Sequence, residues 1–484
     1  MQTKITLIGR EEETKKLDNL LASPQAELVT IYGRRRIGKT FLVKQYLKKH
    51  IVFHITGTQN GEKHQQLKNF FDEYITRSKI KKELPYPTNW YDAFNNLANY
   101  LATLQHLKTK QVVFIDEMPW LDTQKSGFIG ALEFFWNQHG ANFNNVLLVA
   151  CGSASSWIKK KLINARGGLH NRVTQRIKLE PFNLYETTQF LKAKGVKLTQ
   201  YQIVEVYMAM GGIPFYLNQI EPGKSSTAII DDCCFSKKGL LYNEYEQLYH
   251  AIFKNAEQHV AIITALANQP HGITRKTIAL KTKLSEGTLS RTLDELLDCD
   301  FIAIQTPYIN KKKEAIYKLT DLYTLFYLKF IKPNKQMGKG TWKLLSQTNS
   351  YTAWSGYAFE NICMLHTPQI RVALGIQSVY ANIYSWTYSG TPEIAGVQID
   401  ILLDRADNTI NLCEVKFTKD NFIISKSYAE KLKLKKSVFR QISETKKNLF
   451  TTLICVYPTL KNKYYNDEVE NEITIDRLFE QNIM

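Results

Sequence analysis

Apolar and polar positions follow helical and strand periods in turn from about residue 5 to residue 190. Three apolar runs have the length and β-branched content of buried strands: "ELVTIYG" (27–33), "QVVFIDEMPWL" (111–121) and "NVLLVACGSASSW" (145–157). Helical patterns separate these runs, and this alternation is typical of a parallel sheet with helices on its faces. The pattern therefore predicts an α/β domain in the first part of the chain.

The first of these strands ends in a loop with the spacing G-x-x-x-x-G-K-T, from Gly33 to Thr40. In such a loop the glycines let the backbone wrap an anion, the lysine reaches the β- and γ-phosphates, and the threonine hydroxyl ligates Mg²⁺. The alternative is a basic surface turn, but a strand before the loop and an amphipathic helix (39–50) after it favour phosphate binding. The residues predicted to bind the nucleotide are Gly33, Arg34, Arg35, Arg36, Ile37, Gly38, Lys39, Thr40 and Phe41.

An acidic pair, Asp116-Glu117, ends the second apolar run. On a strand of the same predicted sheet, Asp116 would bind Mg²⁺ together with Thr40, and Glu117 would polarise the attacking water. Ser153 ends the third run, where it would either sense the γ-phosphate or act as an ordinary turn serine. The loop and the acidic pair together predict nucleoside triphosphate hydrolysis.

Three arginines follow Ser153, namely Arg166, Arg172 and Arg176. An arginine that reaches the γ-phosphate, from the same chain or from a neighbouring subunit, neutralises charge in the transition state. Arg172 is our candidate for this catalytic role, which leaves open a homo-oligomer, and a solvated basic face is the alternative.

The pattern turns helical from 183 to 245, and three short helical segments follow at 258–268, 274–284 and 285–302, the last with Ser285 as its predicted N-cap. Two strand-like segments come next, and three helices followed by a hairpin are typical of a winged helix. The basic residues predicted to contact nucleic acid there are Arg275, Lys276, Lys281, Lys283, Arg291 and Lys311 to Lys313.

A second constellation of charged residues lies in "VQIDILLDRADNTINLCEVKF" (397–417), where two apolar strands flank a turn at Asp407. Asp400 and Glu414 are each seven residues from Asp407, so a hairpin centred there places them opposite each other, with Lys416 on the same face as Glu414. Two facing carboxylates inside a fold repel unless a divalent cation lies between them. The alternative is two surface carboxylates on a hairpin.

This D-x13-E-x-K pattern resembles the PD-(D/E)XK nucleases. The resemblance implies that Asp400 and Glu414 bind Mg²⁺ and that Lys416 orients the water or stabilises the phosphorane. Glu360, in the helical stretch 356–366, matches an additional acid that these nucleases carry on their first helix. This sequence differs from the pattern in having Gly396-Val397-Gln398, not a Pro-Asp step, before the first acid.

Five segments in order resemble the archaeal-type ATPase family of AAA+/STAND-like P-loop proteins: "LIGREEETKKLDNLL", "YGRRRIGKTFL", "FIDEMPWL", "GLHNRVTQRIKLEPF" and "GGIPFYL". The resemblance covers nearly the whole chain and implies ATP, since a GTPase-type N-K-x-D motif is absent from the sequence. It implies a multidomain α/β protein with four parts. These are a P-loop ATPase core with a parallel sheet (1–182), a helical lid (183–250), a winged-helix domain (251–332) and a restriction-endonuclease-like α/β domain (344–484).

The net charge of +18 favours a polyanionic partner, with nucleic acid first and an acidic membrane surface second. The sequence has no apolar run near the roughly eighteen residues of a membrane span and no signal-peptide pattern at its start, so we expect a cytoplasmic protein without a membrane partner. The seven cysteines show no C-x-x-C pair, which argues against a zinc site and for reduced thiols.

Two functional hypotheses remain open from the sequence. The first is an ATP-hydrolysing protein that binds double-stranded DNA and cleaves it with the Mg²⁺-dependent C-terminal domain. The second is a nucleotide-dependent switch or scaffold that binds nucleic acid or protein and carries a catalytically silent nuclease fold. Intact Glu360, Asp400, Glu414 and Lys416 favour the first hypothesis.

Overall fold

The computed structural model describes residues 7–80, 84–164, 167–308 and 315–481. The chain divides into two compact units. The first unit comprises Met1–Glu180 with Ile252–Lys254, and the second comprises Pro181–Ala251 with Asn255–Met484. The finer division of the second unit into lid, winged-helix and nuclease-like domains stays a prediction.

The first unit is built on a five-stranded sheet in the order β2-β3-β4-β1-β5, in which every pair of neighbouring strands is parallel. Its strands are β1 (Glu27–Tyr32), β2 (Ile51–Thr56), β3 (Gln111–Asp116), β4 (Val146–Gly152) and β5 (Gln175–Lys178). Its helices are α1 (Glu11–Ala22), α2 (Lys39–Tyr46), α3 (Lys63–Ser78), α4 (Trp90–Thr103), α5 (Phe128–Gln138) and α6 (Ser155–Ile158). The predicted α/β domain with a parallel sheet is confirmed, and its topology is typical of P-loop NTPases.

The three central strands explain why the sequence shows continuous apolar runs there. Every residue of β1, β3 and β4 is buried, as expected for parallel strands that are covered on both faces. An aromatic core packs against the sheet, with the rings of Trp90 and Phe128 5.0 Å apart and those of Phe53 and Phe70 4.7 Å apart. This core fixes the strand ends that carry the functional residues.

The second unit contains the remaining helices and two sheets. Its helices are α7 (Leu184–Ala193), α8 (Gln200–Met210), α9 (Pro214–Leu217), α10 (Ser226–Ile230), α11 (Leu240–His250), α12 (Ala256–Ala267), α13 (Arg275–Thr282), α14 (Glu286–Asp298), α15 (Leu322–Phe326), α16 (Thr341–Leu345), α17 (Asn349–Leu365), α18 (Thr367–Ala373), α19 (Lys426–Ser443) and α20 (Lys463–Glu468). Its strands are β6 (Ile273–Thr274), β7 (Ile302–Gln305), β8 (Ile316–Leu319), β9 (Ala381–Tyr388), β10 (Val397–Arg405), β11 (Thr409–Lys416), β12 (Asn448–Cys455) and β13 (Asn471–Thr474).

The larger sheet of this unit has the order β13-β12-β11-β10-β9 and mixes both strand orientations. Strand β10 is antiparallel to β9 and to β11, whereas β11–β12 and β12–β13 are parallel pairs. The β10–β11 hairpin pairs Ile401 with Cys413 and Leu402 with Leu412, so the predicted register is confirmed. The same register places Asp400 across from Glu414.

The smaller sheet, β6-β8-β7, is antiparallel and lies in the stretch where three helices and a hairpin were predicted. Helices α12, α13 and α14 are present at those positions. Ser285 is the N-cap residue of α14, but its hydroxyl bonds to the Thr288 hydroxyl at 3.0 Å and makes no cap to a backbone N–H. Lys311 to Lys313 lie outside the described residues.

The lysine- and glycine-rich stretch 331–343, between the last two predicted domains, is partly packed into the second unit. Trp342 is buried and its ring lies 4.9 Å from that of Phe326 and 5.3 Å from that of Phe330. The Asp231 carboxylate accepts hydrogen bonds from the backbone N–H groups of Gly340 at 2.6 Å and Trp342 at 2.9 Å. Trp342 and the bonds to Asp231 therefore anchor a stretch whose composition indicates a linker.

The seven cysteines are all buried and free, as expected for reduced thiols. Across residues 7–80, 84–164, 167–308 and 315–481, no helix combines the length and the apolar character needed to cross a membrane.

Candidate functional site

The loop between β1 and α2 depends on two glycines with different constraints. Gly33 has φ +140°, and a Cβ atom there would lie 2.2 Å from the Leu179 carbonyl oxygen, so no side chain fits. Gly38 has φ +91° and immediately precedes α2, and a Cβ atom there would meet nothing within 4 Å. The loop therefore opens into space at the N-terminus of α2, where unpaired N–H groups and the helix dipole favour an anion.

Lys39, the first residue of α2, directs its ammonium group to the mouth of this loop. Its Nζ donates to the carbonyl oxygens of Gly33 and Arg34, each at 2.9 Å, and to the Ser153 hydroxyl at 3.0 Å. The side chain is buried, and three acceptors use the three donors of the ammonium group. This cation is held where the terminal phosphates of a nucleotide would lie.

Thr40 and Asp116 are joined by a hydrogen bond of 2.7 Å from the Thr40 hydroxyl to Asp116 Oδ2. Both are oxygen ligands of the kind that Mg²⁺ prefers, and one stands at the start of α2 and the other at the end of β3. The donor set fits Mg²⁺ with phosphate oxygens and water completing the shell. When bound, the ion would neutralise charge on the phosphates.

Glu117 lies directly after Asp116 in a left-handed backbone conformation with φ +44°. Its Oε1 accepts from the Ser153 hydroxyl at 2.7 Å, and its Oε2 accepts from the Ser153 backbone N–H at 3.1 Å. Since Ser153 also accepts from Lys39, one serine joins the candidate base to the phosphate-binding lysine. This arrangement fixes the carboxylate that is to orient water.

Arg10 contributes to the site although no role was predicted for it. Its side chain is buried, and one guanidinium nitrogen donates to the Ile37 carbonyl oxygen at 3.1 Å. Arg10 therefore ties the segment before α1 to the phosphate-binding loop. Arg10 lies in the "LIGREEE" segment, one of the five that resemble the ATPase family, and this could have marked it as a site residue. The sequence pattern did not indicate that it reaches the Ile37 carbonyl oxygen.

The other predicted residues of this site have less specific surroundings. Arg36 has φ +73° within the loop, whereas Arg35 and Phe41 are partly exposed. Arg172 is exposed in the segment before β5, and the contacts of Lys39, Thr40, Asp116 and Glu117 given above do not involve it. Arg176 is exposed on β5, and Arg166 lies outside the described residues.

In the second unit, Glu414 on β11 is surrounded by hydrogen-bond donors. Its Oε1 accepts from Lys416 Nζ at 2.8 Å and from the Tyr428 hydroxyl at 2.6 Å. Its Oε2 accepts from Lys435 Nζ at 2.5 Å. Tyr428 and Lys435 both lie on α19, two helical turns apart, and no motif in the sequence indicated that these two side chains reach Glu414.

Asp400 and Glu360 complete this group, which we call the carboxylate–lysine cluster: Glu360, Asp400, Glu414, Lys318, Lys416 and Lys435. Asp400 Oδ2 accepts from the Val415 backbone N–H at 2.9 Å. Glu360 on α17 accepts from Lys318 on β8 at 2.8 Å, and both side chains are buried. Three carboxylates thus lie with three lysines from different elements.

Burial, and next the charges of Glu414 and Glu360, raise the pKa of Asp400 above its usual range. Burial also acts to raise the pKa of Glu414, but the ammonium groups of Lys416 and Lys435 outweigh it and lower that pKa. Burial and the adjacent Glu414 carboxylate raise the pKa of Tyr428. The cluster therefore keeps its negative charge on Glu414, where the lysines are.

The predicted Mg²⁺ ligands Glu360, Asp400 and Glu414 come together, but the arrangement does not fit a divalent ion. Both oxygens of Glu414 bond to ammonium or phenol donors, and Glu360 bonds to Lys318. In the part of the chain that the structure describes, no group of three or more acidic, histidine or cysteine side chains is placed to hold a metal ion. The metal-binding role of these three residues stays a prediction.

Comparisons with known proteins concern mainly the first site. Residues 7–220 match the family described as "ATPase domain predominantly from Archaea", a range that extends past Glu180 into the second unit. An uncharacterized protein of Methanocaldococcus jannaschii is 25% identical over 415 residues, which cover 85% of this chain and 87% of the relative. An uncharacterized ATP-binding protein of the same organism is 39% identical over 44 residues, or 9% of this chain and 75% of the relative.

Two solved structures are also similar at low identity. A Walker-type ATPase of Pyrococcus abyssi aligns with 66% of this chain and 96% of its own, at 19% identity and a TM-score of 0.47. The ORC2 protein of Aeropyrum pernix, solved in ADPNP–ADP complexes, aligns with 69% of this chain and 97% of its own, at 12% identity and a TM-score of 0.41.

Proposed function

We propose that this chain, whose residues 7–220 match the family of ATPase domains found predominantly in Archaea, binds and hydrolyses ATP and uses the cycle to control an action on double-stranded DNA. The observation that carries the hydrolysis is the chain of contacts from Lys39 through Ser153 to Glu117. It holds a phosphate-binding cation and a candidate base at the same edge of the sheet, beyond the ends of β1 and β3, as in-line attack by water on a γ-phosphate requires.

The predicted site residues of the first unit have separate roles in this proposal. The loop from Gly33 to Lys39 holds the phosphates, and Thr40 with Asp116 holds Mg²⁺. Glu117 orients and polarises the attacking water. Arg172 is assigned to the γ-phosphate of a neighbouring copy of the chain, because an exposed arginine outside the loop contacts is free to reach across a subunit interface.

The test of ATP hydrolysis is Lys39→Ala, with Lys44→Ala on the exposed face of the same helix as the matched control. Loss of the buried ammonium removes the fixed cation of the loop, so nucleotide binding or turnover should be abolished in Lys39→Ala and remain near wild type in Lys44→Ala. Calorimetric ATP binding and steady-state phosphate release measure both. Unchanged hydrolysis in Lys39→Ala would end the proposal.

DNA binding is assigned to the region of α12, α13, α14 and the β7–β8 hairpin as a winged helix. Exposed Lys276, Lys281 and Lys283 form a basic patch on and after α13. Arg275 bonds to Glu286 and Ser290, and Arg291 bonds to Gln258, so these two arginines already have partners within the protein. We therefore place the phosphate contacts chiefly on the three lysines.

Replacing Lys276, Lys281 and Lys283 together by alanine should weaken duplex binding and reduce the slope of log K against log salt by about three, at roughly 0.9 per phosphate contact. Lys192, Lys197 and Lys237, which are exposed elsewhere in the second unit, provide a triple-alanine control of equal charge change. Fluorescence anisotropy with a labelled duplex over a salt series measures the slope. Equal slopes for the two triple variants would exclude this surface.

Cleavage of DNA by the second unit is a second proposed activity. It is favoured by the β10–β11 register, which brings Asp400 opposite Glu414 with Lys416 two residues further along the strand. Glu414 is bonded to Lys416 and Lys435 and is not arranged to hold a metal ion. The competing proposal is a switch or scaffold whose nuclease-like domain is silent.

Plasmid incubated with the protein, ATP and either Mg²⁺ or Mn²⁺ distinguishes these two proposals. Cleavage by the wild type that is lost in Glu414→Ala, with ATP hydrolysis unchanged in the same preparations, would support the nuclease. The control is Glu430→Ala, an exposed carboxylate on α19. Cleavage that survives in Glu414→Ala would indicate a contaminant, and a wild type that never cuts would favour the scaffold.

A further inference from the structure

Aromatic rings contact one another in sequence at the edge of the larger sheet of the second unit where β11 and β12 end. Phe417 follows β11 directly, and its ring lies 4.9 Å from that of Tyr201 on α8, with 13° between the planes. The Tyr201 ring in turn lies 6.4 Å from that of Tyr457, with 10° between the planes. The fully buried Phe359 contacts Phe417 at 5.3 Å. We call Phe417, Tyr201 and Tyr457 the aromatic stack, which leads from the core to the surface.

Tyr457 is the outer member of the aromatic stack. It is 37% exposed, whereas Tyr201 and Phe417 are half-buried. An exposed ring that continues a stack offers a flat π-surface to a further ring. Every nucleobase has a face that stacks on an aromatic side chain, so this surface suits a base of any identity.

The loops that carry the aromatic stack are tied to each other. Asn421 Nδ2 donates to the Pro458 carbonyl oxygen at 2.6 Å, and the Leu460 backbone N–H donates to the Phe422 carbonyl oxygen at 3.0 Å. These bonds join the segment after β11 to the segment after β12, which contains Tyr457. A surface that is already ordered loses little conformational freedom when a ligand binds to it.

The charge of these two segments favours a polyanion. Residues 416–426 contain three lysines and one acidic residue, and residues 457–465 contain two lysines and no acidic residue. The exposed lysines of the two segments are Lys419, Lys426, Lys461 and Lys463. A phosphodiester backbone gains affinity from such a surface by releasing its counterions.

An aromatic surface next to lysines is suited to an unpaired strand more than to a duplex. In a duplex the bases stack on one another, so a base reaches an aromatic side chain only where the strand is unpaired. Stacking on aromatic rings, together with backbone contacts to lysine, is the general mode by which proteins bind single strands.

We propose that the aromatic stack and the lysines around it bind single-stranded nucleic acid, with one base on the Tyr457 ring and neighbouring phosphates on the lysines. This site goes beyond the duplex binding assigned to α12, α13 and α14, and it requires no cleavage. Lys416 pairs with Cys455 across β11 and β12, and Tyr457 lies two residues after Cys455. A strand bound at Tyr457 therefore lies at the same sheet edge as Lys416 of the carboxylate–lysine cluster.

The test is Tyr457→Ala in the full-length protein. Tyr357→Ala is the matched control, because Tyr357 on α17 is 39% exposed and lies outside the aromatic stack. Fluorescence anisotropy with labelled oligo(dT) of about ten nucleotides should show binding at least ~5-fold weaker in Tyr457→Ala, the lower end of what one stacked base contributes, and unchanged in Tyr357→Ala. Tyr457→Phe keeps the ring and should bind as the wild type does. Equal affinities for the wild type and Tyr457→Ala would overturn the proposal.

A second measurement separates stacking from charge. An abasic oligomer of the same length keeps the phosphates and lacks the bases, so the wild type and Tyr457→Ala should bind it equally. The slopes of log K against log salt for oligo(dT) should also be equal, because the substitution removes no charge. A deficit of Tyr457→Ala that persists on the abasic oligomer would mean that Tyr457 supports the lysine-bearing loops, and stacking would then be wrong.

The single-strand site and the winged-helix assignment fail in different ways. If Tyr457→Ala weakens oligo(dT) binding while the Lys276, Lys281 and Lys283 triple variant binds duplex as the wild type does, the single-strand site stands and the winged-helix assignment fails. If the triple variant loses duplex binding while Tyr457→Ala binds oligo(dT) normally, the winged-helix assignment stands and the single-strand site is wrong.

Discussion

The two candidate sites differ in what holds their charged groups. In the first unit, mainly the backbone positions the charged group. Gly33 and Gly38 shape the loop, and Lys39 donates to two backbone carbonyl oxygens and one hydroxyl. In the second unit, side-chain charges hold one another, with Glu414 between Lys416 and Lys435. The phosphate-binding loop of the first unit borders open space, whereas the charge of Glu414 in the second unit is already neutralised by two lysines.

This difference indicates what each site requires before it acts. The Lys39 ammonium has neutral partners, so an incoming phosphate gains a full charge interaction and displaces only dipoles. The Glu414 carboxylate has two cationic partners, so an incoming cation must first displace one of them. We therefore expect the first site to bind its ligand directly and the second to depend on a rearrangement.

The largest effect that we predict would come from Glu117→Gln. Glutamine keeps the size of the side chain and an acceptor for the Ser153 hydroxyl, but it cannot take a proton from water. ATP should still bind, and hydrolysis should fall at least ~10²-fold, which is the usual contribution of a general base. Phosphate release and calorimetric ATP binding measure the two properties separately.

The control for this change is Glu12→Gln, an exposed carboxylate on α1 that should leave both properties unchanged. If Glu117→Gln loses ATP binding as well as hydrolysis, Glu117 supports the loop and is not the base. That result would remove the contrast between a first site that binds its ligand directly and a second site whose carboxylate is already paired with lysines.

The stability of the second unit depends on a buried histidine, His366, whose hydrogen bonds are satisfied in only one protonation state. His366 Nε2 accepts from the Leu184 backbone N–H at 2.9 Å, and Nδ1 lies 2.8 Å from the Ile362 carbonyl oxygen, to which it donates. This histidine joins the start of α7 to the end of α17. Complete burial lowers the pKa of His366 to about 4 from its ordinary value of 6.5.

Because the pKa is lower in the folded state, the unfolded chain binds more protons between pH 6.5 and pH 4. The stability contributed by the neutral ring is therefore complete above pH 6.5 and is lost as the pH falls toward 4, by about 3 kcal/mol in all. His366→Gln can accept from Leu184 and does not titrate, so its stability should fall less across this range. Urea unfolding of both proteins at several pH values measures the difference, and parallel curves would contradict the prediction.

Much of the first site was predictable from the sequence because local spacing determines it. Gly33 through Thr40 occupy one loop and one helix start, and Asp116 follows a strand whose apolar run marks its end. The parallel strands of one sheet end at the same edge, so the meeting of Thr40, beyond β1, with Asp116, at the end of β3, is expected from a parallel topology. The contact between Arg10 and Ile37 was not predictable, since it depends on the path of a chain segment outside the sheet.

The second unit shows where prediction from the sequence ends. The pairing of Asp400 with Glu414 could be predicted from their equal distance to the turn, because two strands joined by a short turn can adopt few registers. Lys435 and Lys318 reach the carboxylate–lysine cluster from α19 and from β8, and the positions of those elements depend on tertiary packing between segments that are far apart in the sequence. The motif indicated the acids and Lys416, but it did not indicate Lys435 and Lys318.

The smallest effect that we predict concerns Ser153, whose hydroxyl joins Lys39 to Glu117. Ser153→Ala removes the hydroxyl and keeps the backbone N–H that donates to Glu117 Oε2, so the carboxylate loses one of its two bonds to this residue. Since the backbone N–H bond to Oε2 remains, we expect a loss of about 1.5 kcal/mol, the lower end of the range for a hydrogen bond to a charged group, so ATP hydrolysis should fall roughly 10-fold, less than in Glu117→Gln. The matched control is Ser155→Ala, because the buried Ser155 hydroxyl has no hydrogen-bond partner among the described residues. Hydrolysis that rises in Ser153→Ala would mean that Ser153 holds Glu117 away from water, and the first site would then be restrained as the second one is.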